Sequence, residues 1–301
     1  MTAELRALLA LFLGAIGIGF APICVRLIEL NPVAIAFWRL ALAVPLLVLM
    51  SRGLPPLPRG QLGWLWFTGF AFAGDLAVWH FSIAFTTVAN ATLLANLAPV
   101  FIALWTWLVL GRRLTAGYWL GLALALGGAA VLVGASARIS PRALAGDALG
   151  VATAVFYAAY QLGIARLRQD WGTLPVMLFS TAASALLLLP VALLAGDFWP
   201  QSTRDWGLLL VLAVVSHIAG QGLIAYALAK LPTTFASVGL LLQPVAAALF
   251  AWALLGELIG PAQAAGAVVV MAGIAVCRSR GRVGPPRDGM AKAYLWQRGQ
   301  K

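Results

Sequence analysis

ATLLANLAPVFIALWTWLVLG (Ala91–Gly111) and ASVGLLLQPVAAALFAWALLG (Ala236–Gly256) are one stretch of sequence written twice. They align without a gap at a shift of 145 and share Pro99/Pro244, Trp107/Trp252 and Gly111/Gly256. Beyond them Gly121 matches Gly266 and Gly128 matches Gly273. Both copies are apolar enough to sit in lipid. A duplicated membrane segment with a proline at its centre points to a transport protein built from two repeats.

Composition agrees. The chain is 62% hydrophobic and 10% charged, against roughly 25% charged for an average soluble protein. So few charges cannot cover a soluble surface, and lipid must replace water around most of the chain. Met1–Arg6 runs straight into an apolar segment with no small-residue cleavage site, so no cleavable signal peptide is expected. Cys24 and Cys277 fall in the first and last apolar runs, which argues against a disulfide, and no metal-ligand spacing occurs.

A membrane span needs roughly 20 apolar residues. Ten are expected: 7–25, 32–50, 62–85, 88–110, 115–135, 147–165, 174–194, 206–229, 233–255 and 261–277. The breaks between them carry loop chemistry, as in Asn31-Pro32, Arg112-Arg113, Pro141, Asp170-Trp171-Gly172 and Gly260-Pro261. Of the 20 Lys and Arg, 15 fall on the side of the N-terminus, four on the other (Arg26, Arg138, Arg142, Arg204), and Arg39 alone lies well inside a span. The positive-inside rule then puts both termini in the cytoplasm. The formal charge of +11 is mostly topology, so no nucleic-acid partner is expected, although the basic tail suits anionic headgroups. Five spans per repeat is odd, so the second copy enters the membrane from the opposite side. The expected fold is all-α: a polytopic membrane protein of ten transmembrane helices in two inverted five-helix repeats, 1–140 and 141–277, followed by a basic cytoplasmic tail, 278–301. A solute site is expected near midplane between the halves.

At this point a resemblance enters. Residues 83–134, IAFTTVANATLLANLAPVFIALWTWLVLGRRLTAGYWLGLALALGGAAVLVG, resemble the second half of an EamA-type repeat of the drug/metabolite transporter superfamily. Leu228–Val276 is similar to the same unit again, and Phe37-Trp38-Arg39-Leu40 is similar to the family's aromatic-Arg pattern in span 2. The family usually carries a Glu after the glycine that ends spans 4 and 9; Glu257 fits and Arg112 departs. The resemblance implies a fold of two repeats and a transport function. Within the family the chain looks most like bacterial amino-acid and metabolite exporters, in which aromatic side chains line the central faces.

Polar groups inside spans are costly and mark function or packing. Asp75 is the only acid deep in a span; with Trp79 and Ser82 it forms an i, i+4, i+7 stripe on span 3, from which His80 is expected to point away. His217 and Gln221 are i, i+4 on span 8, the repeat mate of span 3. Asp75 and His217 read as titratable or solute-facing groups, or else as packing groups, with an Asp75–Arg39 ion pair as the structural alternative. Arg39 itself reads as structural or as the partner of a substrate carboxylate. Tyr157, Tyr160 and Gln161 share a mixed aromatic-polar face on span 6 with Thr153, and Asn96 shares one with Thr92 and Pro99 on span 4; Gln243 precedes Pro244. Such faces suit a cavity for an amphipathic organic molecule; the alternative is core filling and helix glue. Pro99 and Pro244 each remove a backbone hydrogen bond and kink a helix, which suits gating or a static bend.

No P-loop, HExxH or GxSxG motif occurs, so no cofactor, no metal and no enzyme activity are expected. The expected function is a secondary transporter or facilitator that exports small metabolites by alternating access, amino acids foremost, aromatic ones among them. Another metabolite or a drug-like compound is the alternative, ahead of an intramembrane lipid-modifying enzyme or a passive channel. The expected partners are a small-molecule substrate and the lipid bilayer, with the protein a monomer or weak homodimer in the bacterial cytoplasmic membrane. A reporter fused after residue 277 should read as cytoplasmic; a periplasmic signal would break the ten-span reading.

Overall fold

The computed structural model describes residues 2–56, 59–86, 88–134 and 141–286. Arg138, the Ser136–Ser140 part of the repeat boundary and the tail beyond Pro286 lie outside the described residues. Helices dominate. Span 1 runs Ala3–Gly19 and, after a break at Phe20, Ala21–Leu27; span 2 is Pro32–Met50 and span 3 Leu62–Phe85. Span 4 is Val88–Ala95, Ala98–Leu104 and a π-helical turn Trp105–Val109; span 5 is Ala116–Val133. Span 6 is Pro141–Leu167 and span 7 Thr173–Leu194. Span 8 runs Thr203–Val211, continues as π-helix over Leu212–Gln221 and ends as Gly222–Leu228. Span 9 is Thr233–Gly239 and Leu242–Leu255, and span 10 is Pro261–Arg280.

Local chemistry sets the ends. Thr2, Asn31, Thr115 and Ser202 accept backbone N–H bonds as N-caps, and Pro32 and Pro261 occupy first-turn positions that need no donor. Span 6 begins at Pro141, six residues before the expected start, for the same reason: a proline read as a break is also a good first residue. Gly111 and Gly256, the repeat-matched residues after spans 4 and 9, have φ of 63° and 69°. Only glycine adopts this left-handed backbone without steric cost, so both copies keep it.

Nine of these segments, among the described residues, are long and apolar enough to cross a membrane by length and composition alone. The tenth, span 3, is long enough at 24 residues, but Asp75 and His80 dilute its hydropathy. Three features were not expected. Span 1 breaks at Phe20, ahead of Pro22. Span 10 extends three residues past 277. Two short strands, β1 (Arg112–Leu114) and β2 (Val283–Pro286), pair antiparallel and pin the segment after span 10 to the loop after span 4.

The inversion of the repeats is visible in the packing of spans 5 and 10. A Cβ on Gly128 would lie 2.7 Å from the Gly266 carbonyl oxygen, and a Cβ on Gly273 would lie 2.7 Å from that of Gly121. The first contact becomes the second when each residue is replaced by its repeat mate. The helices run antiparallel, since Gly117 meets Arg280 at one end and Gly266 meets Leu132 at the other. An antiparallel, self-complementary contact between repeat mates is the signature of a two-fold axis in the membrane plane. The same exchange relates the antiparallel contact of spans 1 and 8, where Gly14 and Gly17 abut Gly220, to that of spans 6 and 3, where Gly163 abuts Thr68 and Gly146 abuts Thr86. Each repeat thus lends its first span to the other repeat's third.

Small residues permit these approaches, as in other membrane helix pairs. A leucine at Gly128 would meet Val270 N at 2.6 Å and Gly266 O at 2.7 Å, both backbone. Overpacking costs about 1–3 kcal/mol when side chains can move, and more here. Gly128→Leu should therefore lower the thermal midpoint and the monodisperse yield in detergent. Gly127→Leu, whose Cβ meets nothing within 4 Å, should leave both unchanged.

Candidate functional site

Seven spans surround one central cavity, with about 190 Å³ open to the centre of a water molecule. That is room for a small organic molecule rather than a bare ion. Each span presents one helical face to it. Span 3 contributes Phe72, Asp75, Leu76, Trp79 and His80, an i, i+3, i+4, i+7, i+8 stripe. Span 2 contributes Ile35, Ala36 and Arg39; span 4 Thr92, Ala95 and Asn96; span 6 Thr153 and Tyr157. Span 8 contributes Leu212 and Gln221, and span 9 Gln243, Pro244 and Ala247. Span 1 lines the cavity around its break, from Ile18 to Val25.

The cavity occupies only the half of the bundle away from the N-terminus. Span 1 lines it only from Ile18 onward, span 2 only up to Arg39, span 3 only from Phe72 and span 4 only up to Asn96. The other half is closed by packing. Tyr118, Leu11, Leu40, Leu47, Ile164 and Leu167 are fully buried there, and the Tyr118 hydroxyl donates to the Thr234 carbonyl at 3.3 Å.

The polar lining is underused by the protein itself. Arg39 makes no hydrogen bond to a described residue; its Nε is enclosed and partnerless, and its guanidinium carbon lies 6.0 Å from the Phe72 ring centroid. Gln221 Oε1 and His80 Nε2 are likewise enclosed without partners. The other His80 nitrogen, Nδ1, bonds the Leu76 carbonyl, and Trp79 meets the imidazole edge-on at 5.0 Å. Gln243 Nε2 donates to the Tyr157 hydroxyl at 3.4 Å. Asn96 Nδ2 donates to Thr92 O at 3.0 Å within its own helix. The ion pairs among the described residues are Arg26–Glu257, Arg166–Asp170 and Arg278–Glu4. The Asp75–Arg39 pair offered as a structural alternative is not formed.

Of the residues singled out in the sequence, Asp75, Trp79, Asn96, Tyr157, Gln221, Gln243, Pro244 and Arg39 share this cavity. Four do not line it. Tyr160 is buried behind Tyr157, stacked on Phe72 at 4.4 Å between ring centroids. His217 is fully buried, bonded through Nε2 to Thr181 Oγ1 at 2.8 Å and stacked on Phe72 at 5.6 Å. Gln161 is buried with both amide atoms unpartnered. Pro99 is buried on span 4 beneath the cavity floor. Ser82 leaves the expected stripe too, donating to the Gly146 carbonyl at 2.7 Å on span 6. His80 corrects the reading in the other direction. A step of five residues turns about 140°, but the cavity wraps span 3 widely enough to reach both Asp75 and His80. Phe72 and the Pro22–Val25 wall were missed because apolar side chains in an apolar span carry no contrast.

The comparisons with known proteins fit this architecture. The model of the EamA-like transporter family matches twice, over residues 5–134 and 144–278. The chain belongs to that family. An uncharacterized transporter of Archaeoglobus fulgidus is 31% identical over 292 residues, covering 91% of this chain and 97% of its own length. The pseudopaline exporter CntI of Pseudomonas aeruginosa is 31% identical over 259 residues, covering 82% and 86%. A crystal structure superposes with a TM-score of 0.77 at 20% identity over 91% of this chain and 97% of its own, and so shares the fold.

Accessibility should divide the residues as the cavity does. In a background with Cys24 and Cys277, both buried and free, replaced by alanine, cysteines at Asp75, Asn96, Tyr157 and Gln221 should react with water-soluble thiol reagents. Cysteines at Gln161, His217, Leu124 and Val269 should not. Equal inertness of all eight would show that no water-filled space joins the first four.

Proposed function

We propose that this EamA-like transporter exports small organic metabolites through the central cavity, with amino acids, aromatic ones among them, as the foremost substrates. The observation that carries the reading is the cavity wall: enclosed, partnerless polar atoms on Arg39, His80 and Gln221 set among aromatic and apolar side chains. Buried polar groups without partners are costly, and a solute that supplies the partners gains that cost back as affinity. The apolar remainder gives contact area for a ring or an alkyl chain.

Alternating access supplies the mechanism. The two repeats, 1–140 and 141–277, pack across a two-fold axis, so the exchange of roles between them would close the present cavity and open its image on the opposite side. The breaks at Phe20, at Asn96-Leu97 and at Leu240-Leu241 border the lining and offer hinge points where helix hydrogen bonding is already interrupted. Export is supported by the CntI relative, whose name states that direction; the Lys/Arg bias separately favours a bacterial cytoplasmic membrane with both termini in the cytoplasm. Another metabolite or drug-like compound is the second reading, since the same wall suits other amphipathic solutes. An intramembrane enzyme would need a nucleophile and base exposed to its substrate. Among the described residues the Thr181–His217 pair is buried behind Phe72 and does not line the central cavity.

Purified protein in liposomes should carry radiolabelled amino acids down their gradient with saturation, which separates a carrier from a channel. Flux should not respond to an imposed pH gradient, because Asp75 is a single acid with no second carboxylate beside it. Tyr157→Ala and Asn96→Ala should each cut flux roughly tenfold, the loss of about 1.4 kcal/mol of binding. Flux that follows the pH gradient would replace the facilitator with a proton-coupled carrier. No flux of any small solute would end the transport reading.

A further inference from the structure

We infer that Arg39 and Asp75 are the two halves of a zwitterion clamp: Arg39 takes a carboxylate and Asp75 an ammonium borne on the same carbon of the solute. The inference rests on the transport reading above. It narrows the substrate to a zwitterionic amino acid with an apolar or aromatic side chain.

One is a guanidinium and the other a carboxyl group; they line one cavity and form no salt bridge with each other. Arg39 is 8% exposed and makes no hydrogen bond to a described residue. The Phe72 face that its guanidinium overlies, at 6.0 Å, attracts the cation but accepts none of its five N–H donors. Asp75 follows Phe72 by one helical turn on span 3, is partly exposed to the cavity, and has no hydrogen bond or ion pair with a described residue. In a low-dielectric site a charge without a partner is expensive, and a partner supplied by a solute relieves it. Each side chain therefore keeps hydrogen-bonding capacity that a solute lying between them can fill.

The chemistry of that something is constrained. An amine would satisfy Asp75 and leave Arg39 bare; a carboxylic acid would do the reverse. A zwitterion satisfies both and brings no net charge out of water. The remaining polar lining sharpens the orientation. His80 Nδ1 lies on the Leu76 carbonyl, which fixes the proton there and leaves Nε2 an acceptor. Gln221 Oε1 is also an acceptor. Acceptors therefore outnumber the single fixed cation, as a head group with three N–H donors and one carboxylate requires. Beyond the charged pair the wall is Pro22, Val25, Ile35 and Leu76 with the Trp79 ring, which suits an uncharged side chain.

Three compounds with one side chain test the clamp: L-phenylalanine, phenethylamine without the carboxylate, and 3-phenylpropionate without the ammonium. Each is assayed in proteoliposomes as a competitor of labelled L-phenylalanine, and as a ligand of the detergent-purified protein by thermal shift. In the wild type, both analogues should compete more than about tenfold more weakly than L-phenylalanine, because a site that hydrogen-bonds a group rejects the analogue lacking it. Arg39→Gln should erase the handicap of phenethylamine and keep that of 3-phenylpropionate. Asp75→Asn should do the opposite. Arg39→Lys, which keeps the charge, should retain the wild-type order and guards against a folding defect in Arg39→Gln. Equal competition by all three compounds, or handicaps that do not exchange between the two variants, would overturn the clamp while leaving transport intact. So would a protein that carries other solutes but ignores all three. Absence of flux for every solute tried would fall on the transport reading instead.

Discussion

The structure depends on the close antiparallel crossing of spans 5 and 10. Lipid tails give no hydrophobic drive for one helix to join another, so membrane helices associate through packing and close backbone approach. Gly121, Gly128, Gly266 and Gly273 supply that approach, each meeting backbone where a Cβ would stand. The contact is its own image under repeat exchange, which places the two-fold axis. Once the axis is placed, the packing of span 1 on span 8 requires that of span 6 on span 3. The central space between the repeats follows from the same geometry.

Within that frame, most of the irregular backbone borders the cavity, the exposed π-helical turn Trp105–Val109 at the end of span 4 being the exception. Open helix geometry is tolerated at membrane depth only if it is buried in protein or borders a cavity. Span 1 breaks at Phe20 beside Pro22, span 4 at Asn96-Leu97 and span 9 at Leu240-Leu241, and span 8 turns π-helical from Leu212 to Gln221. Pro22, Asn96, Gln243, Leu212 and Gln221 all line the cavity. The prolines do part of this. Pro99 and Pro244 cannot donate to the preceding turn, so in both repeats the helix slackens two to four residues before the ring.

How much of this was legible in the sequence depends on contrast. The repeat, the span count and the inversion follow from matched prolines and glycines and from an odd number of spans, all of which stand out against an apolar background. The cavity was half legible. Asp75, Arg39, Asn96, Tyr157, Gln221 and Gln243 were found because polarity in a span is rare. His217, Gln161 and Tyr160 were drawn into the same group by the same signal, yet they lie behind the wall, where Thr181 and Phe72 receive His217, Phe72 stacks on Tyr160, and the Gln161 amide has no partner among the described residues. Helical spacing tells which residues share a face. It does not tell how widely the cavity wraps that face, and so it misjudged His80. The span 1 break was invisible because Phe20-Ala21-Pro22 has no counterpart in span 6 with which to compare it.

The duplication that builds the frame does not duplicate the chemistry. Spans 2 and 7 each carry an internal proline, Pro45 and Pro190, at the same shift of 145 that relates the quoted stretches. At that shift Arg39 corresponds to Ser184, Asp75 to Gly220 and His80 to Ala225. Phe72 corresponds to His217, and those two rings stack on each other, as mates do when they lie near the axis. The residues after the paired glycines diverge in the same way. Arg112 donates to the Gly284 carbonyl beside the strand pair, whereas Glu257 pairs with Arg26. Backbone-determining positions have stayed matched, because a change there would break two symmetric contacts at once. Charged positions differ between the repeats, as they would where only one set faces the solute proposed above. A symmetric pair of charged walls would make two competing sites, one on each side of the axis. On the proposed reading, a single charged wall on the first repeat, facing the amides and phenol of the second, would make one site that both halves of the transport cycle share.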